Sequence, residues 1–173
     1  MHLRTIHQFV IDRSSAALFH AEEITAAINH QLDCLRQQAA HQPDEEHFVN
    51  IAIFNERLRE VFVLQRPGYV NNLSLADFRY EGCCALYDAL DLLHTRLKKQ
   101  LLALNEEVPT VVKVMIFSHG PDNASFICNQ AQISKRLNKL SMSNIWTFHG
   151  VDAICGLFPF VKPLPDTGLC PAT

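Results

Sequence analysis

FVIDRSSAALF, residues Phe9–Phe19, joins an apolar run to a helical repeat through an acid and two adjacent hydroxyls. Upstream, Ile6 to Ile11 reads as a short buried strand. Downstream, Ile24, Ile28, Leu32 and Leu35 recur at intervals of four, four and three, the spacing of one helical face. The polar turn between them lies beyond the carboxyl end of the strand, where open α/β sheets place their functional loops.

The rest of the chain repeats this alternation. AAHQPDEEH, from Ala39 to His47, suits an exposed connection, and VNIAIF, Val49 to Phe54, is the second strand. A tight turn at Asn55 to Arg57 leads into LREVFVLQ, so these two segments are expected to pair as a hairpin and put one antiparallel strand on an otherwise parallel sheet. Leu86, Leu90, Leu93, Leu97 and Leu101 trace a second helical stripe. PTVVKVMIFSHG, Pro109 to Gly120, carries apolar residues on both parities, as a central strand covered on both faces requires. A helix around Gln132 to Leu140 and a strand at Ile145 to His149 complete an α/β, doubly wound, mostly parallel sheet with helices on both faces. Three loops fall at its functional end: DRSSA, EGCCA and SHGPDNAS.

A length of 173 residues at 48% hydrophobic content supports one well-buried core. We expect one domain, residues 1–158, followed by a tail, residues 159–173, with prolines at 159, 163, 165 and 171. A net charge of −3 without blocks of one sign gives no footprint for nucleic acid or an anionic membrane, and neither is expected as a partner. MHLRTIHQFVID has too short an apolar run for a secretory leader, so the expected location is cytoplasmic. The six cysteines lack disulfide-framework or zinc-finger spacing and read mostly as buried, reduced thiols. LPDTG, Leu164 to Gly168, matches a sortase signal and is expected to be a chance match within the Pro-rich tail. His20, His30, His41, His47 and His94 show no metal-ligand spacing and read as surface residues.

Together the three loops resemble the von Willebrand factor type A domain over about Thr5 to Gly150. FVIDRSS resembles the family's strand ending in D-x-S-x-S, GCCALYDAL its G-x-T-x-L-x-D-A-L, and VMIFSHGPDNAS its strand ending in D-G-x-x-N. The NIAIFNERLREVFVL hairpin and the closing NIWTFHGVD match the family in order and spacing. The resemblance implies a Rossmann-like fold and a metal-ion-dependent adhesion site for a magnesium-like ion. Of five implied ligands, Asp12 and Ser14 are kept; the second serine position is Ala16, the threonine position Cys84 and the third-loop aspartate position His119. Ser15 lies one residue short of the second serine, so at a helix start its side chain points about 100° away. Asp88 stands where the family often has an acid that fixes the neighbouring loop, and otherwise reads as a solvated helix-start acid.

Mg²⁺ prefers near-octahedral oxygen ligands, which alanine, cysteine and histidine do not supply. The expectation is therefore a non-catalytic protein-interaction module with a degenerate adhesion site, no cofactor, no metal and another protein as partner. Its contact surface would be the crevice of Asp12, Ser14, Ser15, Cys84, His119 and Asp122, with a lateral helix face around Arg96, Lys98 and Lys99 as the rival. Two alternatives use the same crevice. Asp12, Cys84 and His119 could hold a transition metal, or Cys84 and His119 could act as nucleophile and base in a thiol enzyme.

Overall fold

A computed structural model describes residues 3–104 and 107–165. Strands β1 (Leu3–Asp12), β2 (Glu45–Phe54), β3 (Leu58–Gln65), β4 (Thr110–Phe117), β5 (Trp146–Gly150) and β6 (Lys162–Pro163) form one sheet in the order β3-β2-β1-β4-β5-β6. Among the described residues, only the β2–β3 pairing is antiparallel. The Val49–Phe54 and Pro109–Ser118 runs therefore flank the Ile6–Ile11 run, as the alternation of strands and helices predicts. The helices are α1 (Ala21–His41), α2 (Leu86–Ala103), α3 (Gln130–Ser141) and the short α4 (Asp152–Leu157), with a 3₁₀ turn at Ser15–His20 leading into α1.

Side-chain parity divides the core between the two faces. On β1 and β4, Ile6, Val10, Val112, Val114 and Ile116 point to the α2 side and pack with Leu86, Leu90, Leu93 and Leu97. Phe9, Ile11, Met115 and Phe117 point the other way and pack against Ile24, Ile28, Leu32 and Leu35 of α1. Because β1 and β4 are parallel with Ile11 opposite Phe117, the residues that follow them, Asp12 and Ser118, leave the sheet side by side. That register is what assembles the functional end.

The segment expected to begin as a tail at Pro159 stays with the sheet as far as Pro165. Val161 is buried, Leu164 N donates to Gly150 O (3.1 Å), and Pro163 sits on the edge strand, where its missing N–H costs no ladder bond. The rest of that segment, including Asp166–Gly168 of LPDTG, lies outside the described residues. Among the described residues, no helix is long and apolar enough to cross a membrane, and Cys83, Cys84, Cys128 and Cys155 are free thiols.

One histidine expected at the surface is in the interior. His47 is buried and pairs with buried His7, Nδ1 to Nε2 at 3.2 Å. Burial first, then the nearby Lys113 charge, holds His7 well below its ordinary value. Burial also lowers His47, against a partial counter-effect from Glu45. Both are neutral in the folded protein at pH 7, whereas in the unfolded chain they titrate near 6.5. Below that value the unfolded state binds more protons, so stability is full above about pH 6.5 and declines as the pH falls from there. Urea midpoints measured from pH 7.5 to 5 are expected to decrease, with a shallower slope in His7→Gln/His47→Gln. An unchanged slope in the double variant would assign the acid sensitivity elsewhere.

Candidate functional site

The sheet's carboxyl end is built around Asp12, the last residue of β1. Its carboxylate is buried and accepts from Ser118 Oγ (2.6 Å) and from the backbone N–H of Ser14 (2.8 Å). Ser14 is buried too, with an Oγ that has no partner among the described residues. Ser15 is exposed; its N–H donates to Gly82 O (3.0 Å), which ties the first loop to the second. Arg13 strengthens the same tie, donating from Nη1 to Arg79 O (2.9 Å) and to Glu81 Oε1 (3.3 Å). Gly82 has φ 75°, and a Cβ there would meet the Glu56 carboxylate, which accepts from Cys83 N (2.6 Å). The second loop thus needs glycine for its backbone and for space.

Cys84 is buried beneath this loop, its Sγ 3.9 Å from Ser118 Oγ. Burial, followed by the Asp12 carboxylate, pushes its thiol up to about 12, so it is protonated at neutral pH. Among the described residues no hydrogen bond joins Cys84 to His119, and a thiol held protonated is a weaker nucleophile than a thiolate. We expect iodoacetamide at pH 7.5 to label exposed Cys83 early and Cys84 last among Cys83, Cys84, Cys128 and Cys155, read by mass spectrometry. Faster labelling of Cys84 than of Cys83 would contradict the buried, protonated thiol.

The third loop is stitched to the start of α2. Asn123 Oδ1 accepts from Cys84 N (2.9 Å), while Asn123 N and Ala124 N donate to Cys84 O (3.0 and 3.1 Å). Asp122, half-buried, accepts from Tyr87 N (3.0 Å), Ser125 N (3.1 Å) and Ser125 Oγ (2.6 Å). Asp88 is not a solvated acid: its carboxylate accepts from the N–H groups of Phe126 (3.0 Å), Ile127 (3.1 Å) and Cys128 (2.8 Å).

His119 lies half-buried at the mouth of the first loop. Its ring stacks on His20, centroids 4.1 Å apart and planes 15° off parallel, and its buried Nε2 has no hydrogen-bond partner among the described residues. Burial and the neighbouring His20 imidazole hold His119 below its ordinary value. Glu23, in the first turn of α1, completes a group with the two histidines in which one ligand atom from each lies within 4.8 Å of the others.

The six residues singled out by sequence thus gather at one end of the sheet but at different depths. Asp12, Ser14 and Cys84 form its floor, whereas Ser15, His119 and Asp122 are wholly or partly accessible. Sequence reading missed Ser118, which links Asp12 to Cys84, and Asn123 and Ser125, which set the third loop. It also missed His20 and Glu23. Their spacing of three at a helix start puts them on one face, a signal that stays ambiguous until His119 is placed beside them.

No protein-family model and no curated protein matches the sequence. Solved structures do match. The von Willebrand factor type A protein from Catenulispora acidiphila is similar at 14% identity and TM-score 0.59, over 86% of this chain and 33% of that one. Manganese-loaded TRAP protein of Plasmodium vivax is similar at 13% identity and TM-score 0.60, over 94% and 65%. Proximal thread matrix protein 1 from the mussel byssus, with a zinc-occupied MIDAS motif, is similar at 17% identity and TM-score 0.54, over 93% and 41%. This chain therefore spans between 33% and 65% of the length of those proteins. With its sheet order, antiparallel edge strand and three convergent loops, the chain has the von Willebrand factor type A fold.

Proposed function

We propose that this chain is a non-catalytic protein-interaction module that docks its partner on the three-loop end of the sheet without a magnesium ion. The observation that carries the reading is the state of Asp12. Its two carboxylate oxygens are taken up by Ser118 Oγ and Ser14 N, inside a site whose other positions hold Ala16, which has no ligand atom, and Cys84, a neutral thiol. Mg²⁺ demands near-octahedral oxygen ligation and binds thiols poorly, so these residues do not fit it. A buried carboxylate satisfied by protein donors holds the loops in place of an ion.

Recognition then falls to the accessible rim, with exposed Ser15 and Cys83 and half-buried His119 and Asp122. Asp122 acts there chiefly as the brace of the third loop, since three donors already occupy its carboxylate. The rival lateral face is smaller than its sequence suggests, because Arg96 is paired with Glu60 (2.8 Å) and leaves Lys98 and Lys99 as the exposed charges.

The test is affinity capture from the source cells with EDTA present. It compares the wild-type chain with Ser15→Arg/Cys83→Arg and with Lys98→Glu/Lys99→Glu, after circular dichroism has shown all three folded. Loss of a specific partner in the rim variant, with retention in the helix-face variant, is the expected result. The reverse pattern, or equal recovery by all three, would overturn the docking assignment.

A further inference from the structure

We propose that His20, Glu23 and His119 form a binding site for zinc or a similar divalent transition metal, separate from the Asp12 centre and open to the cleft beside it. Two imidazoles and one carboxylate are the ligand set of zinc sites that keep a fourth position free. His20 and Glu23 come from one helix start, three residues apart and therefore on one face. His119 reaches them from the end of β4, held there by the β1–β4 register. Their ligand atoms lie within 4.8 Å of one another. Tetrahedral zinc with bonds of about 2.0–2.1 Å needs its ligand atoms roughly 3.3 Å apart, a closure within reach of side-chain rotation.

The groups do not satisfy one another without an ion. His20 Nδ1 and Glu23 Oε2 stand 3.8 Å apart, beyond a hydrogen bond, and His119 Nε2 is buried without a partner among the described residues. Two imidazoles stacked at 4.1 Å gain little from each other and repel when both are charged, whereas turning the rings about their side-chain bonds aims both in-plane lone pairs at one cation. The fourth position has somewhere to open. Glu23 and His119 line a cleft of about 300 Å³ whose far side is formed by Asp152, Leu164 and Pro165. Nitrogen and carboxylate donors select zinc and its first-row neighbours over magnesium. The site shares only His119 with the positions of the resembled adhesion site and uses neither Asp12 nor Cys84. It also does not depend on the interaction reading, since metal binding and partner capture are measured separately.

The test uses the full chain, stripped with EDTA, titrated with Zn²⁺ by calorimetry and with Co²⁺ by visible absorption. One equivalent of each is expected to bind, and the cobalt form should show ligand-field bands without sulfur-to-cobalt charge transfer. Losing even an outer-shell partner of a metal ligand typically costs 10–100-fold in affinity, so losing a direct ligand in His20→Ala, Glu23→Gln or His119→Ala should weaken zinc binding by at least about tenfold. Cys83→Ser and Cys84→Ser should leave it unchanged. His20 and Glu23 have accessible side chains, so their variants are expected to keep the wild-type melting profile without metal. Absence of saturable binding would overturn the site. So would binding that survives His20→Ala and Glu23→Gln, or a sulfur charge-transfer band that disappears in Cys84→Ser, which would move the metal to Asp12, Cys84 and His119.

Discussion

Phe117→Ala is expected to lower the unfolding free energy by about 3–5 kcal/mol, the range for deleting a fully buried aromatic ring from a core that relaxes only in part. Phe117 is wholly buried and stacks on Phe9, ring centroids 6.1 Å apart and planes 3° off parallel. The pair bridges β1 and β4 on the α1 side, three residues before Asp12 on one strand and one before Ser118 on the other. Its loss therefore removes packing and also loosens the register that brings Asp12 to Ser118. Urea denaturation measures the effect, with an unchanged m-value marking a pure stability change. A cost below about 1 kcal/mol would mean that the two strands are held mainly by their backbone ladder and by the α2-side core.

Asp88→Ala should destabilise the functional end by about 2 kcal/mol. Hydrogen bonds to a charged group are worth roughly 1.5–3 kcal/mol each, but the Phe126 and Ile127 amides are exposed enough for water to replace much of what is lost. The Cys128 amide, which precedes α3, has the shortest of the three bonds at 2.8 Å. Hydrogen exchange supplies the specific readout: amides 126–128 should exchange faster in the variant while β1 and β4 keep their protection. Uniform acceleration across the sheet would show that Asp88 supports the whole domain rather than this loop.

The fold was legible because burial on this sheet is regular. β1 and β4 are apolar on both parities, since helices cover both of their faces, and the leucine stripe of α2 runs unbroken from Leu86 to Leu97. Those patterns place three loops at one end before any distance is known. Side-chain partnerships were less legible. His47 looks like a polar surface residue, because its pairing with His7 depends on β1 and β2 lying side by side and leaves no local signature. Asp88 and Asp122 can be read as solvated or as rim acids until the third loop folds back over α2 and presents amides to both. β6 escapes detection for another reason. Two residues, one of them proline, carry no periodicity, and only the neighbouring edge of β5 makes them a strand.

The same limit bears on the crevice itself, where a one-dimensional motif shows which ligand types are missing but not what the remaining carboxylate does instead. The magnesium response of the EDTA-stripped full chain tests the central claim most directly. A ligand at a hundred times its dissociation constant stabilises the native state by about 2.7 kcal/mol, a shift easily seen in a melting curve. If Asp12 is satisfied by Ser118 and Ser14 and the crevice works without the ion, excess Mg²⁺ leaves the melting temperature unchanged in both the wild-type chain and Asp12→Ala. A magnesium-dependent rise in the wild-type chain that disappears in Asp12→Ala would show a working magnesium site and contradict the account.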